Sequence, residues 1–249
     1  MRLVIEVWRQ EHPSGPGHYE THEVDDAVPE MSLLELLDRL NDQLVEEGRE
    51  PVAFESDCRE GICGACGITV DGVPHGPQRN TPSCHQRLAV YEDGRRIRLE
   101  PLRSAAYPVI RDLVVDRSAL YRIITSGGHV AVPGGAAQPA NALPVTHEQA
   151  EKALDMAACI GCGACVAACP NGAAHLFVGS KLAHLSLLPT GMLERGRRAR
   201  AMLGEMEQDF GPCSLYGECA QVCPANIPLT AIAVVNKEGL RSALRRKDD

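Results

Sequence analysis

The chain is 249 residues long, enough for one large or two modest domains, and its 44% hydrophobic and 23% charged residues are those of an ordinary globular protein. That balance excludes wholesale disorder, collagen and coiled-coil arrays. The net charge of −8 is uneven, with 11 basic against 20 acidic residues in 1–104 and 14 against 13 in 105–249, so the acidic first half argues against nucleic-acid binding and suits a basic partner.

Aromatic residues make up only 4%, with a single Trp, whereas cysteines number eleven. The N-terminal MRLVIEVW, Met1 to Trp8, has Glu6 inside its apolar run and no small-residue cleavage site, so no secretory leader is expected. A reducing compartment follows. Disulfides are disfavoured there, and an odd number would leave one thiol over, which makes metal chemistry the better reading. Met156 to Ser180 lacks Asp, Glu, Lys and Arg and has the length of a membrane span. Four cysteines, four glycines and Pro170 interrupt it, so it reads as a buried metal-binding segment.

In chain order, Leu3, Ile5 and Val7 alternate as a strand, Ser14 to Gly17 turns, and His18 to Val24 returns as the partner. Ser32 with Glu35 is a capping-box signature, and Leu33, Leu36, Leu37, Leu40 and Leu44 carry an amphipathic helix to about Glu47. A Gly-broken loop from Phe54 to Cys66 follows, then a short strand Ile68 to Val70, a tight Asp71-Gly72 turn and a last strand Arg96 to Leu99. This order describes a ferredoxin-like β-grasp over residues 1–104. Val109 to Thr125 has helical spacing with Arg111, Asp112, Asp116 and Arg117 on its polar side. Ser126 to His147 reads as a surface loop rich in Gly, Ala and Pro. Glu148 to Met156, Lys181 to Leu188, Leu193 to Met206 and Leu229 to Leu244 read as helices, so residues 105–249 form an all-α domain around metal. The fold class is α+β.

Cys58, Cys63 and Cys66 have the spacing C-x4-C-x2-C, with Cys84 eighteen positions on. That is the plant-type ferredoxin pattern for a 2Fe-2S cluster, and Gly61 and Gly64 supply the conformations such a wrap requires. Zinc prefers paired C-x2-C knuckles, of which this segment has one. Cys84 has the weakest spacing argument of the eleven. Cys159, Cys162, Cys165 and Cys169-Pro170 form the bacterial run C-x2-C-x2-C-x3-C-P, whose fourth cysteine ligates the other of two clusters. The partner run is Cys213, Cys219 and Cys223-Pro224, with Tyr216 where its second cysteine belongs. Cys159, Cys162, Cys165 and Cys223 then hold a 4Fe-4S cluster, and Cys169, Cys213 and Cys219 a 3Fe-4S cluster. All eleven cysteines are accounted for.

With DCREGICGACGITVDG at Asp57 to Gly72, PVIRDLVVDRS at Pro108 to Ser118, both Cys-Pro runs and FVG at Phe177 to Gly179, the sequence resembles the iron-sulfur subunits of succinate dehydrogenase and fumarate reductase over nearly its whole length. The resemblance implies a peripheral subunit on the cytoplasmic face of a bacterial plasma membrane, held between an FAD-bearing catalytic subunit and a membrane anchor. Electrons from FAD would pass the Cys58, Cys159 and Cys169 clusters in turn toward quinone. The chain departs from the family where Asn171-Gly172-Ala173-Ala174-His175 replaces tryptophans after the first Cys-Pro and Ser214 replaces a histidine. Within that resemblance, the departure implies a quinone site away from the Cys169 cluster, reached through haem or another cofactor of the anchor, as in menaquinone-linked branches.

Succinate dehydrogenase is the function expected, with fumarate reductase, the same machine in reverse, and a freestanding multi-cluster ferredoxin as alternatives. A purely structural role for the metal does not explain the thiol missing at Tyr216. Trp8 reads as packing, His175 as packing rather than a hydrogen-bond donor to quinone, and Arg195, Arg197, Arg198 and Arg200 as a solvated helix end.

Overall fold

A computed structural model of the chain describes residues 1–130, 141, 145–189 and 191–244. Strand β1 (Leu3–Arg9) pairs antiparallel with β2 (His18–Val24), Leu3 opposite Val24 and Arg9 opposite His18. Helix α1 (Leu33–Glu46) follows, then the short hairpin of β3 (Ile68–Val70) and β4 (Val73–Pro74), and β5 (Arg96–Pro101). The sheet order is β2-β1-β5-β3-β4, with β5 parallel to β1 at its centre. Asp71 and Gly72 both have positive φ, 48° and 81°, which suits the tight β3–β4 turn.

The expected capping box is present: Glu35 N–H donates to Ser32 Oγ at 3.3 Å, and Ser32 N–H donates to Glu35 Oε2 at 2.6 Å. Six leucines of α1 are buried against Leu3, Ile5, Val7, Ile97 and Leu99 of the sheet. Each contributes roughly 1.5–3 kcal/mol of transfer free energy. Trp8, on the opposite face, is half-buried, edge-on to Tyr19 at 5.2 Å and under the Arg103 guanidinium at 4.4 Å, so it packs as expected. Gly17 is required beside it, since a Cβ there would fall 1.8 Å from the indole.

Residues 109–115 are not helical. They form a hairpin of β6 (Val109–Arg111) and β7 (Val114–Val115), and helix α2 begins only at Ser118, running to Ile123 and on into one π turn, Ile124–Gly128. The polar residues placed on a solvated face are the reason: Asp112 and Arg117 are both buried. Asp112 accepts the N–H groups of Gln10 at 2.9 Å and Ala53 at 2.8 Å and pairs with Arg9 at 3.3 Å. Leu113 joins the β-grasp core while Val115 joins the helical one, so the hairpin bridges the two.

Beyond it lie α3 (His147–Ala157), α4 (Ala164–Ala167), α5 (His175–Leu187), α6 (Met192–Asp209), α7 (Glu218–Gln221) and α8 (Thr230–Leu244). Helix α5, six residues longer at its start than its periodicity predicts, packs on α3, α6 and α8. The loop expected over Ser126 to His147 lies largely outside the described residues, which exclude 131–140 and 142–144. The α+β class holds. The arginines expected on a solvated helix end are only partly so: Arg197 is exposed, but Arg198 is buried, paired with Glu194 at 2.9 Å and donating to Gly127 O at 2.8 Å, and half-buried Arg195 pairs with Glu238 at 2.8 Å. Among the described residues, no helix is long and apolar enough to cross a membrane.

Candidate metal centres

All eleven cysteines carry free thiols, and they gather in three groups. In the loop ahead of β3, Arg59, Gly61 and Gly64 have φ of 54°, 74° and 71°, a run of left-handed residues that curls the chain and turns its N–H groups inward. Glu60 N–H donates to Cys58 Sγ at 3.3 Å and Ala65 N–H to Cys63 Sγ at 3.4 Å. The backbone N–H groups of Glu60 and Ile62 hold the Cys58 thiol down at about 7, with the Cys63 thiol beside it. Cys66 and Cys84 are buried at the edge of the β-grasp core, and burial, with the Cys84 thiol alongside, pushes Cys66 up to about 12. The distant Cys84, on a 3-10 turn Ser83–His85, is thus brought to the other three.

Cys159, Cys162, Cys165 and Cys223 line one cavity with Phe177 and Ile227. Burial pushes Cys162 up to about 12 and raises Cys165 further, with Cys159 and Cys223 among the neighbouring thiols of each. Ile227 N–H donates to Cys223 Sγ at 3.4 Å, and Lys181 holds the Cys159 carbonyl at 2.9 Å. Cys169, Cys213 and Cys219 line a second cavity together with His175, Leu215 and Tyr216. His175 Nδ1 is buried there without a hydrogen-bond partner.

The two runs repeat one backbone. Gly161 and Gly163, two and four residues after Cys159, have φ of 70° and 85°; Leu215 and Gly217, two and four after Cys213, have 57° and 95°. Each run then enters a four-residue helix, α4 or α7, from a left-handed glycine. Leu215 holds that conformation without being glycine, a cost of about 1 kcal/mol or more. Tyr216 therefore occupies the place of Cys162, but Cys162 is 7% exposed and Tyr216 58%.

The donor sets fit clusters: four thiols around one site, four around the next and three around the last, with glycine loops that leave room for backbone approach. Arg117 and Tyr107 escaped the sequence reading. Arg117 donates to the carbonyls of Gly64 and Cys162, and the buried Tyr107 hydroxyl, unpartnered, lies 2.9 Å from where a Gly163 Cβ would stand. Arg117 lies in the PVIRDLVVDRS stretch, whose spacing alone points to the polar side of a helix.

A family profile described as a 2Fe-2S iron-sulfur cluster binding domain matches residues 4–122, and one described as a 4Fe-4S dicluster domain matches residues 158–227. The fold and its thiol groups thus define a multi-cluster iron-sulfur protein. A fumarate reductase iron-sulfur subunit of Mycobacterium tuberculosis is 31% identical, the match covering 98% of this chain and 96% of that one. The succinate dehydrogenase iron-sulfur subunit of Bacillus subtilis is 29% identical, over 80% of this chain and 76% of the other. A chain of the Mycobacterium smegmatis Sdh1 complex in its apo form shares the fold at a TM-score of 0.67 and 24% identity, over 99% and 97% of the two chains. The chain belongs to the family of succinate dehydrogenase and fumarate reductase iron-sulfur subunits.

Proposed function

We propose that the chain is the electron-transfer subunit of a bacterial succinate dehydrogenase, with Cys58, Cys63, Cys66 and Cys84 holding 2Fe-2S, Cys159, Cys162, Cys165 and Cys223 holding 4Fe-4S, and Cys169, Cys213 and Cys219 holding 3Fe-4S. When bound, the clusters supply one-electron relay chemistry between the FAD of a flavoprotein and a quinone reached through a membrane anchor. One observation carries the reading: the three thiol groups form a continuous series. The Gly64 backbone lies against Ile160 and Cys162, and the Cys219 thiol lies within electrostatic reach of Cys165. The third site is the one without a fourth thiol. An exposed phenol in place of a buried thiolate leaves that corner open, which supports a three-iron cluster.

The surface supports the partner assignment. Ile62, 67% exposed at the tip of the first loop of the acidic half, is an apolar contact for the flavoprotein, while exposed Leu215, Tyr216 and Leu229 beside the third site suit the anchor. The location proposed is peripheral, on the cytoplasmic face of the plasma membrane. Fumarate reduction is the second reading, favoured by the names of the relatives in Mycobacterium tuberculosis and Haemophilus influenzae.

Affinity purification from the native membrane should bring down a flavoprotein and an anchor. The iron-sulfur subunit should carry about nine irons and ten sulfides, and the complex should reduce a dye with succinate faster than it oxidises a quinol with fumarate. The reverse ratio selects fumarate reductase; bound zinc refutes the cluster assignment. In Tyr216→Cys a fourth thiol faces the third site, and the oxidised three-iron paramagnetic signal should vanish with a lowered potential and slower quinone reduction, dye reduction being kept. A wild-type complex with two four-iron clusters, prepared without air, would refute the three-iron site.

A further inference from the structure

We infer that Arg117 is the positioning residue that joins the first metal loop to the second and that its buried charge raises the potential of both sites, an inference resting on their reading as 2Fe-2S and 4Fe-4S centres. The Arg117 side chain is 6% exposed. Its Nη1 donates to Gly64 O at 2.5 Å and to Cys162 O at 3.3 Å, and its Nη2 meets Glu55 Oε2 at 3.0 Å. Gly64 lies between Cys63 and Cys66 of the first group, and Cys162 belongs to the second, so a single guanidinium holds a carbonyl of each loop. The two loops also touch directly: a Cβ on Gly64 would fall 2.4 Å from Ile160 O and 3.0 Å from Cys162 N.

Two carbonyl dipoles converging on one buried spot repel each other unless a donor stands between them. The guanidinium meets that need with several N–H groups in a rigid fork and cannot shed its proton, whereas a lysine offers one compact ammonium. Its charge also counts. Adding an electron to either neighbouring site adds negative charge, and a buried cation hydrogen-bonded to a carbonyl of each loop favours the electron-rich state more than it would in water. Glu55 partly offsets the charge and makes its burial tolerable. Arg117 thus fixes a close backbone approach between the two sites and biases both toward holding the electron.

The test uses the complete complex purified from membranes, with redox titrations followed by electron paramagnetic resonance and with iron and sulfide analysis. Arg117→Met should lower the midpoint potentials of the 2Fe-2S and 4Fe-4S centres together and weaken the spin-relaxation enhancement that one exerts on the other. Arg117→Lys should keep much of the potential and lose much of that enhancement. Glu55→Gln removes the counter-charge and should move the potentials upward. A merely structural role would lower cluster content without shifts of opposite sign. A fully loaded Arg117→Met complex titrating as wild type overturns the inference. If that variant does not assemble, Glu55→Gln decides, and potentials that stay put or fall overturn it equally. A wild-type complex lacking either cluster would instead refute the cofactor assignment, a failure that metal analysis separates from this one.

Discussion

His75 shows how one side chain writes a pH dependence into this fold. It is buried, has a φ of 68°, and its Nδ1 accepts Ser83 N–H at 3.2 Å with Ser83 Oγ at 3.0 Å. Burial, reinforced by the Arg117 charge, pushes its pKa down to about 4 from an ordinary 6.5. Above 6.5 the imidazole is neutral whether the chain is folded or not. Below it the unfolded chain takes a proton that the folded one refuses, so stability falls as pH drops from about 6.5 to about 4, by up to about 3 kcal/mol. His75→Asn keeps a side chain that tolerates the left-handed backbone and cannot titrate in this range. Its melting temperature should therefore fall less steeply than that of wild type between about pH 7 and pH 5; parallel profiles would remove His75 from the account.

Helices α5 and α8 owe their close crossing to one missing methyl group. A Cβ on Gly179 would fall 2.4 Å from Ala231 O and 2.7 Å from its carbonyl carbon, atoms that cannot rotate away. Alanine is the better helix former by about 1 kcal/mol, but a clash with backbone costs about 1–3 kcal/mol or more. Gly179→Ala should therefore lower the melting temperature. Gly204, in α6, meets nothing within 4 Å of its added Cβ, so Gly204→Ala should raise it, by about 0.5–1 kcal/mol of stability. The same substitution in two helices of one domain thus has opposite signs, and thermal unfolding of the pair checks both. If both variants melted higher, the α5–α8 contact would be looser than described.

Asp112 ties the β-grasp half to the helical half. Its two carboxylate oxygens accept Gln10 and Ala53 N–H while Arg9 sits at 3.3 Å, and its exposure is 2%. Removing one member of a buried pair costs about 3–5 kcal/mol where the other charge is left uncompensated; here Arg9 keeps Glu20 at 3.8 Å, so the loss falls at or below the lower end of that range. Asp112→Ala should lose up to about 3 kcal/mol and expose the Gln10 and Ala53 segments, which hydrogen exchange at those amides would report; unchanged protection there would count against the tie. The charge asymmetry, −9 over residues 1–104 and +1 over 105–249, acts at longer range. Assembly with the proposed flavoprotein partner should slow as salt rises, because steering between extended charged surfaces is screened over about 8–10 Å. An assembly rate indifferent to salt would place the acidic surface elsewhere.

The sequence alone was enough to find four of the five β-grasp strands, the α1 cap and the eleven cysteines, because each depends on neighbours a few positions away: alternation, a capping box, or a run whose spacing matches the span of a cluster. It also aligned Tyr216 with Cys162, which the repeated left-handed pairs at 161/163 and 215/217 bear out. Other features needed the assembled molecule. Asp112 and Arg117 look like the polar face of a helix until partners from residues 9–64 bury them, and Arg198 and Arg195 look solvated until Gly127 of the π turn and Glu238 of α8 meet them. Hydrogen-bonding groups far apart in the chain decide such placements, since burying a charge depends on which distant carbonyl or carboxylate arrives to meet it. Spacing along the chain therefore determined which thiols could share a site, and tertiary packing decided how one site touches the next.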